Sequence, residues 1–230
     1  AGMSVRRSQE EGIRLARALG AIRDEGPFVL GIAREGVLAA DAVARELHAP
    51  LDVLVAGQVL APGGRPIGGI AEAGALVFDE PALARLQLTP EELARLVEAE
   101  HARLDRQTER IRGSWPLPPL ADRTVVIVDD AMVTGLTMRA AVASVVARRA
   151  RRVVVAVALS SIEASRALHA VAHDVFHLEW MTMEMATRVH RERCLEERPP
   201  PGDAEIHDLI VQELTDVGTD PFEGLAIDGM

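Results

Sequence analysis

The sequence predicts an α/β domain of three layers, with a central, mostly parallel sheet covered by helices on both faces. Three observations carry that prediction. Between residues 124 and 178, short runs dense in Val, Ile and Ala alternate with helical stretches, and the runs are continuously apolar. A strand, a tight turn and a helix also follow one another earlier, between Pro27 and Leu47. At 230 residues, with 48% hydrophobic and 26% charged side chains, the chain has the length and composition for one well-buried core.

The elements follow in order. Ser8-Gln9-Glu10-Glu11 has the form of a capping box, and Ile13, Ala16, Ala18 and Leu19 continue an amphipathic helix to about Ile22. Residues 27–32 read as a buried strand, Ala33-Arg34-Glu35-Gly36 as a tight turn, 37–47 as a helix and 51–55 as a second strand. The stretch 61–69 is rich enough in Gly and Pro to read as a loop, and a loop of that length in a compact domain is functional or mobile. Thr89-Pro90-Glu91-Glu92 is a second capping box, opening a charged helix to about Ile111 that suits a peripheral layer or a subunit contact in a homodimer. Trp115-Pro116-Leu117-Pro118-Pro119 interrupts the pattern. Strands at 124–128, 152–159 and 174–178 then alternate with helices at 137–147 and 162–170. The expected organisation is one domain over residues 4–213, with a loop-and-helix excursion at about 57–118 and a tail at 214–230 without periodicity.

Charge removes several functions. A net charge of -10 argues against a nucleic-acid surface, which needs phosphate-neutralising cations. No apolar run approaches the ~18 residues of a membrane span, and the first residues lack a signal-peptide apolar stretch. With a single cysteine, Cys194, the expected location is the cytoplasm. All 25 basic Lys and Arg positions are Arg. A Walker loop needs Gly-Lys-Ser/Thr, and a phospho-accepting receiver site normally uses a lysine, so both are disfavoured.

The most informative stretch is Val125 to Met138. An apolar strand ends in Asp129 and Asp130, and the turn Ala131-Met132-Val133-Thr134-Gly135 leads into a helix at Leu136-Thr137. Ionised carboxylates are pure acceptors and suit vicinal ribose hydroxyls. Turn N–H groups and a helix opening cradle a phosphate, with hydroxyls from Thr134 and Thr137. Strand ends in open α/β sheets are where ligands bind. An Asp N-cap with a solvated neighbour is the plainer explanation of Asp-Asp alone, but the Thr-Gly-x-Thr that follows makes it the minor one.

Val126 through Thr137 resembles the signature of type I phosphoribosyltransferases that binds 5-phosphoribosyl pyrophosphate (PRPP). Val29-Leu30-Gly31-Ile32-Ala33-Arg34-Glu35-Gly36-Val37 is similar to the same family's pyrophosphate loop, and the order of elements agrees over about residues 8–178. The resemblance implies Mg²⁺-assisted transfer of 5-phosphoribosyl from PRPP to an acceptor, with release of pyrophosphate. It implies that Asp129 and Asp130 hold the ribose hydroxyls and contribute to a metal site, directly or indirectly. It implies that Ala131, Met132, Val133, Thr134, Gly135, Leu136 and Thr137 hold the 5-phosphate, and that Arg34, Glu35 and Gly36 face the pyrophosphate.

The chain departs from the family pattern at two places. Glu35 stands where the family prefers glycine, and Gly57-Gln58 stand where related enzymes often carry an Arg-Lys pair, so the pyrophosphate half reads as degraded. Arg65 is the candidate substitute for the missing cation. A non-catalytic ribose 5-phosphate or nucleotide binder, or an enzyme of pyrophosphate-free ribosyl chemistry, fits the same residues. Trp180, Met181, Met183 and Met185 follow the last strand, where the family places its acceptor-binding hood; they suit an apolar lid or a subunit contact equally. His173, His177 and His190 are spaced for different elements and read as ordinary surface or partly buried histidines.

Overall fold

The computed structural model describes residues 3–113, 115–196 and 201–216. In chain order, α1 (Met3–Ala18) and a 3-10 turn lead into β1 (Phe28–Ile32), α2 (Val37–Leu47) and β2 (Leu51–Leu54). Next come β3 (Ala56–Ala61), β4 (Arg65–Ala71), β5 (Ala75–Phe78), α3 (Glu80–Leu86) and α4 (Pro90–Arg112). The second half alternates β6 (Thr124–Met132), α5 (Leu136–Ala147), β7 (Arg152–Ser161), α6 (Ile162–Leu168), β8 (Asp174–Met181) and α7 (Met183–Glu196), and α8 (Asp203–Asp216) ends the described chain.

The expected three-layer α/β arrangement is present. Five strands lie in the order β2-β1-β6-β7-β8, and every neighbouring pair is parallel. The continuous apolar runs reflect burial on both faces. Val126, Val128, Val154 and Ala156 pack under α1 and α2, while Val125, Ile127, Val153 and Val155 meet α5 and α6 on the other face. The order reverses at β1: the chain steps from β1 outward to β2, then returns to place β6 on β1's other side. The switch point therefore falls between the carboxyl ends of β1 and β6, the favoured ligand position in such sheets.

Glycine and proline content misleads at residues 61–69. Instead of a loop, β3 and β4 form a hairpin, and β5 completes a three-stranded antiparallel sheet. Gly63 and Gly64, with φ of 84° and 77°, make only the turn. Pro66 falls beside the register shift at Val59/Leu60, where a missing N–H is tolerated. Gly68 and Gly69 serve close packing: a Cβ on Gly69 would lie 2.0 Å from the Leu136 carbonyl oxygen. This small sheet covers the outer side of α5, which is why α5 is buried nearly all round.

Other boundaries move by a few residues. The first helix starts at Met3, so Ser8 lies inside it and is not its cap, and β6 and β8 run on to Met132 and Met181. α4 has an inner face: Leu104 and Ile111 join Val53, Val59, Ile67 and Ile70, along with Ile206 and Ile210 of α8. The expected tail begins inside α8, and residues 217–230 lie outside the described residues. No helix among the described residues is long and apolar enough to cross a membrane.

Candidate active site

Asp129 and Asp130 are the sixth and seventh residues of β6, half-buried at its carboxyl end. The turn after β1 lies directly against them. A Cβ on Gly36 would come within 2.8 Å of both Cα and Oδ1 of Asp129, so the two segments touch backbone to backbone. The Asp129 carboxyl is pushed well above the ordinary range by burial first, then by the charges of Asp130 and Glu35. Burial also raises Asp130, with His190 of α7 opposing the shift and Glu35 adding to it. These are carboxyls desolvated at a strand end, which favours partners that bring N–H or O–H donors.

The predicted phosphate cradle is part strand and part turn. Ala131 and Met132 still pair with Leu159 and Ser160 of β7, while Val133, Thr134 and Gly135 form the turn. Gly135, at φ 75°, occupies the left-handed region and serves as the N-cap position of α5, with Leu136 and Thr137 in its first turn. Gly135 offers no side-chain cap, while Thr134 Oγ1 accepts from the Leu136 N–H at 3.4 Å; the remaining N–H groups of a helix start suit an anion. Ser161 holds the turn from outside: its Oγ donates to the Val133 carbonyl at 2.6 Å and accepts from Ala164 N at 2.9 Å. Gly69 of the small sheet presses on the same helix start.

Around the β1 turn, the Ala33–Arg34 peptide is cis. The Glu35 carboxylate accepts from the backbone N–H of Arg34 at 3.2 Å, placing an anion on a donor that a phosphate would use. Arg34 pairs through Nε with Asp203 at the start of α8, at 3.1 Å. Arg65 begins β4 at the hairpin end, exposed and paired in register with Ala61. Among the described residues, no three His, Cys, Asp or Glu side chains converge with metal-binding geometry.

Several nearby groups carried no local signal in the sequence. Glu11 of α1 is 8% exposed, pairs with Arg193 at 3.3 Å and feels the charge of Asp130. Ser161, Asp203 and Arg193 likewise come from segments remote from both motifs. The three histidines are spread over different segments: His173 accepts from Val153 N at 3.0 Å, His177 lies 6.0 Å from the Trp180 ring, and His190 lies beside Cys194. Burial raises the Cys194 thiol, the opposite of an activated nucleophile. Trp180, near the end of β8 and not after the strand as expected, and Met183 and Met185 of α7 are exposed, 61%, 37% and 45% respectively.

Comparison with known proteins decides the family. Residues 5–192 match the model of the phosphoribosyl transferase domain. This chain belongs to the phosphoribosyl transferase family. A curated Mycobacterium tuberculosis protein from strain H37Rv, provisionally named a phosphoribosyl transferase, is 35% identical over 150 residues. Its counterpart in strain CDC 1551 gives the same figures. The match covers 64% of this chain but 34% of either relative, so the phosphoribosyl transferase chain spans about a third of their length. The crystal structure of TT1426 from Thermus thermophilus superposes with a TM-score of 0.69 at 32% identity, covering 89% of this chain and 96% of that one.

Proposed function

We propose that the chain transfers a 5-phosphoribosyl group from PRPP to an acceptor nucleophile, with release of pyrophosphate. The supporting observation is the pair Asp129 and Asp130 at the switch-point end of β6, directly followed by an uncapped helix start. In this reading, the two carboxylates accept hydrogen bonds from the ribose hydroxyls. The turn at Val133, Thr134 and Gly135 and the first N–H groups of α5 hold the 5-phosphate, and so fix the anomeric carbon over the β1 turn. The bond from the anomeric carbon to pyrophosphate oxygen breaks, the acceptor forms its bond at the same carbon, and the acceptor's proton leaves. The transition state is cation-like at that carbon, and fixed carboxylates nearby favour it electrostatically.

Mg²⁺ fits this donor set as an ion that arrives with the substrate. With no converging cluster of three protein ligands among the described residues, one or two of Asp129, Asp130 and Glu35 would hold it alongside diphosphate oxygens and water. When bound, it neutralises the departing pyrophosphate. One observation favours a second reading. Glu35 already occupies the Arg34 N–H, which suits a ribose 5-phosphate or nucleotide site that works without pyrophosphate.

Calorimetric titration with PRPP, ribose 5-phosphate and AMP, each with and without Mg²⁺, separates the two. Mg²⁺-dependent binding of PRPP, clearly tighter than that of ribose 5-phosphate, supports the transferase. Equal affinities with no effect of Mg²⁺ reject it in favour of a binding protein or pyrophosphate-free ribosyl chemistry.

A further inference from the structure

The position that lacks a cation in β3 is not empty space. A Cβ on Gly57 would lie 2.6 Å from Nη2 of Arg103 and 2.6 Å from Oε1 of Glu100, so side chains from α4 fill the place where a β3 side chain would start. That place borders the β1 turn. Ile32 pairs with Leu54 at the shared end of β1 and β2, and Ala33 N donates to the Leu54 carbonyl at 3.1 Å; Arg34 and Gly57 both lie just past this point. Seven residues along α4, about two turns on and so on the same face, Arg110 reaches Asp203 at 3.6 Å. The same carboxylate holds Arg34 at 3.1 Å, and its charge also acts on Arg103.

Resting on the transferase reading, we infer that Arg103 and Arg110 of α4 join Arg34 around Asp203 as the diphosphate-binding half of the site, supplying from a helix the cations that the lysine-free β3 does not. Arg34 and Arg110 are 40% and 64% exposed in their side chains, and each forms an ion pair with Asp203. A guanidinium has further N–H donors at its far end, in a fork matched to phosphate oxygens. Arg103 is more committed, with three contacts to Glu100 at 2.6–3.0 Å and one to Gln107 at 3.1 Å. Asp203, Glu100 and Glu35 balance the three arginines, so the set is close to neutral. A diphosphate must therefore take over contacts now made by carboxylates, and Mg²⁺ on the diphosphate reduces the repulsion it meets there. Arg65, at the far end of the hairpin, is not needed in this arrangement.

The test is calorimetric titration of the full chain with inorganic pyrophosphate and with PRPP, both with Mg²⁺, and with ribose 5-phosphate as the control. Arg110→Gln and Arg103→Gln are each expected to weaken pyrophosphate and PRPP about tenfold or more, the loss of one charge-assisted contact. Ribose 5-phosphate affinity should stay within about twofold, because its cradle is untouched, and Arg110→Lys should restore part of the loss. Unchanged pyrophosphate binding in both Gln variants overturns the inference while leaving the transferase reading standing. Equal weakening of ribose 5-phosphate also overturns it, since the substitutions would then act through the fold. If the wild-type chain binds ribose 5-phosphate but neither pyrophosphate nor PRPP, the transferase reading fails and this inference falls with it.

Discussion

In the proposed site Asp129 and Asp130 are not equivalent acceptors, and their surroundings say why. Asp129 is hemmed in by Gly36 and feels both Asp130 and Glu35, whereas His190 offsets part of the strain on Asp130. Asp130 is thus the readier acceptor for a ribose hydroxyl. Asp130→Asn keeps the shape but replaces one acceptor oxygen by a donor. It is expected to weaken ribose 5-phosphate by about 10–100-fold, the range for a hydrogen bond to a charged group, with circular dichroism unchanged. Equal affinity in calorimetry would remove this residue from the site. The same change should raise Tm near neutral pH. A carboxyl with a raised folded-state pKa makes its ionised form costly to the fold, so deleting the charge relieves that cost. Each ~1 kcal/mol regained is worth about 2–4 °C for a chain of this size.

Why the strands of the central sheet and the phosphate turn were readable, and the small sheet was not, comes down to what the residues are for. Val125 to Val128 advertise a strand because both faces are buried, and Asp129 to Thr137 carry their chemistry in one contiguous run. In β4, Gly68 and Gly69 are there because backbone approaches within contact distance, which looks in sequence like irregular chain. Glu11, through the charge of Asp130, and Ser161, through the Val133 carbonyl, come to the β6 end from remote segments, and no local pattern marks them for that place. Gly69→Ala tests the packing explanation. Its methyl would meet the Leu136 carbonyl, so about 1–3 kcal/mol of stability should be lost, and ribose 5-phosphate should bind more weakly as the start of α5 shifts. A neutral outcome in denaturant and binding would show that the hairpin can move without cost. Arg112 ties the same region together: it is 3% exposed, pairs with Asp52 at 2.9 Å and Glu72 at 3.4 Å, and donates to the Val53 carbonyl. Arg112→Met leaves two buried carboxylates without their cation and should cost about 3–5 kcal/mol. Part of that loss should return as pH falls and the two acids protonate.

Protonation links the site to the stability of the entire domain. Glu11, Asp52, Glu72, Asp129 and Asp130 all have carboxyls raised above the ordinary range, each with burial as the largest cause. A raised folded-state pKa means that the native state binds protons more tightly than the unfolded chain. These groups therefore destabilise the fold most at neutral pH, and stability should climb as pH falls through their raised values toward the ordinary carboxylate range of about 4. Ligand binding runs the other way. On the proposed reading Asp129 and Asp130 accept best from ribose hydroxyls when both are ionised, so acid that steadies the empty protein should weaken its hold on ribose 5-phosphate. A ligand that binds only the native state raises Tm according to its affinity. Thermal melts stepped downward from neutral pH, through a window in which raised carboxyls take up protons, should thus show the ligand-free Tm rising while the increment given by saturating ribose 5-phosphate at neutral pH shrinks. In Asp130→Asn both slopes should flatten. An increment that stays constant through this window would separate ribose binding from these carboxylates, and the proposed role of the β6 strand end would not survive it.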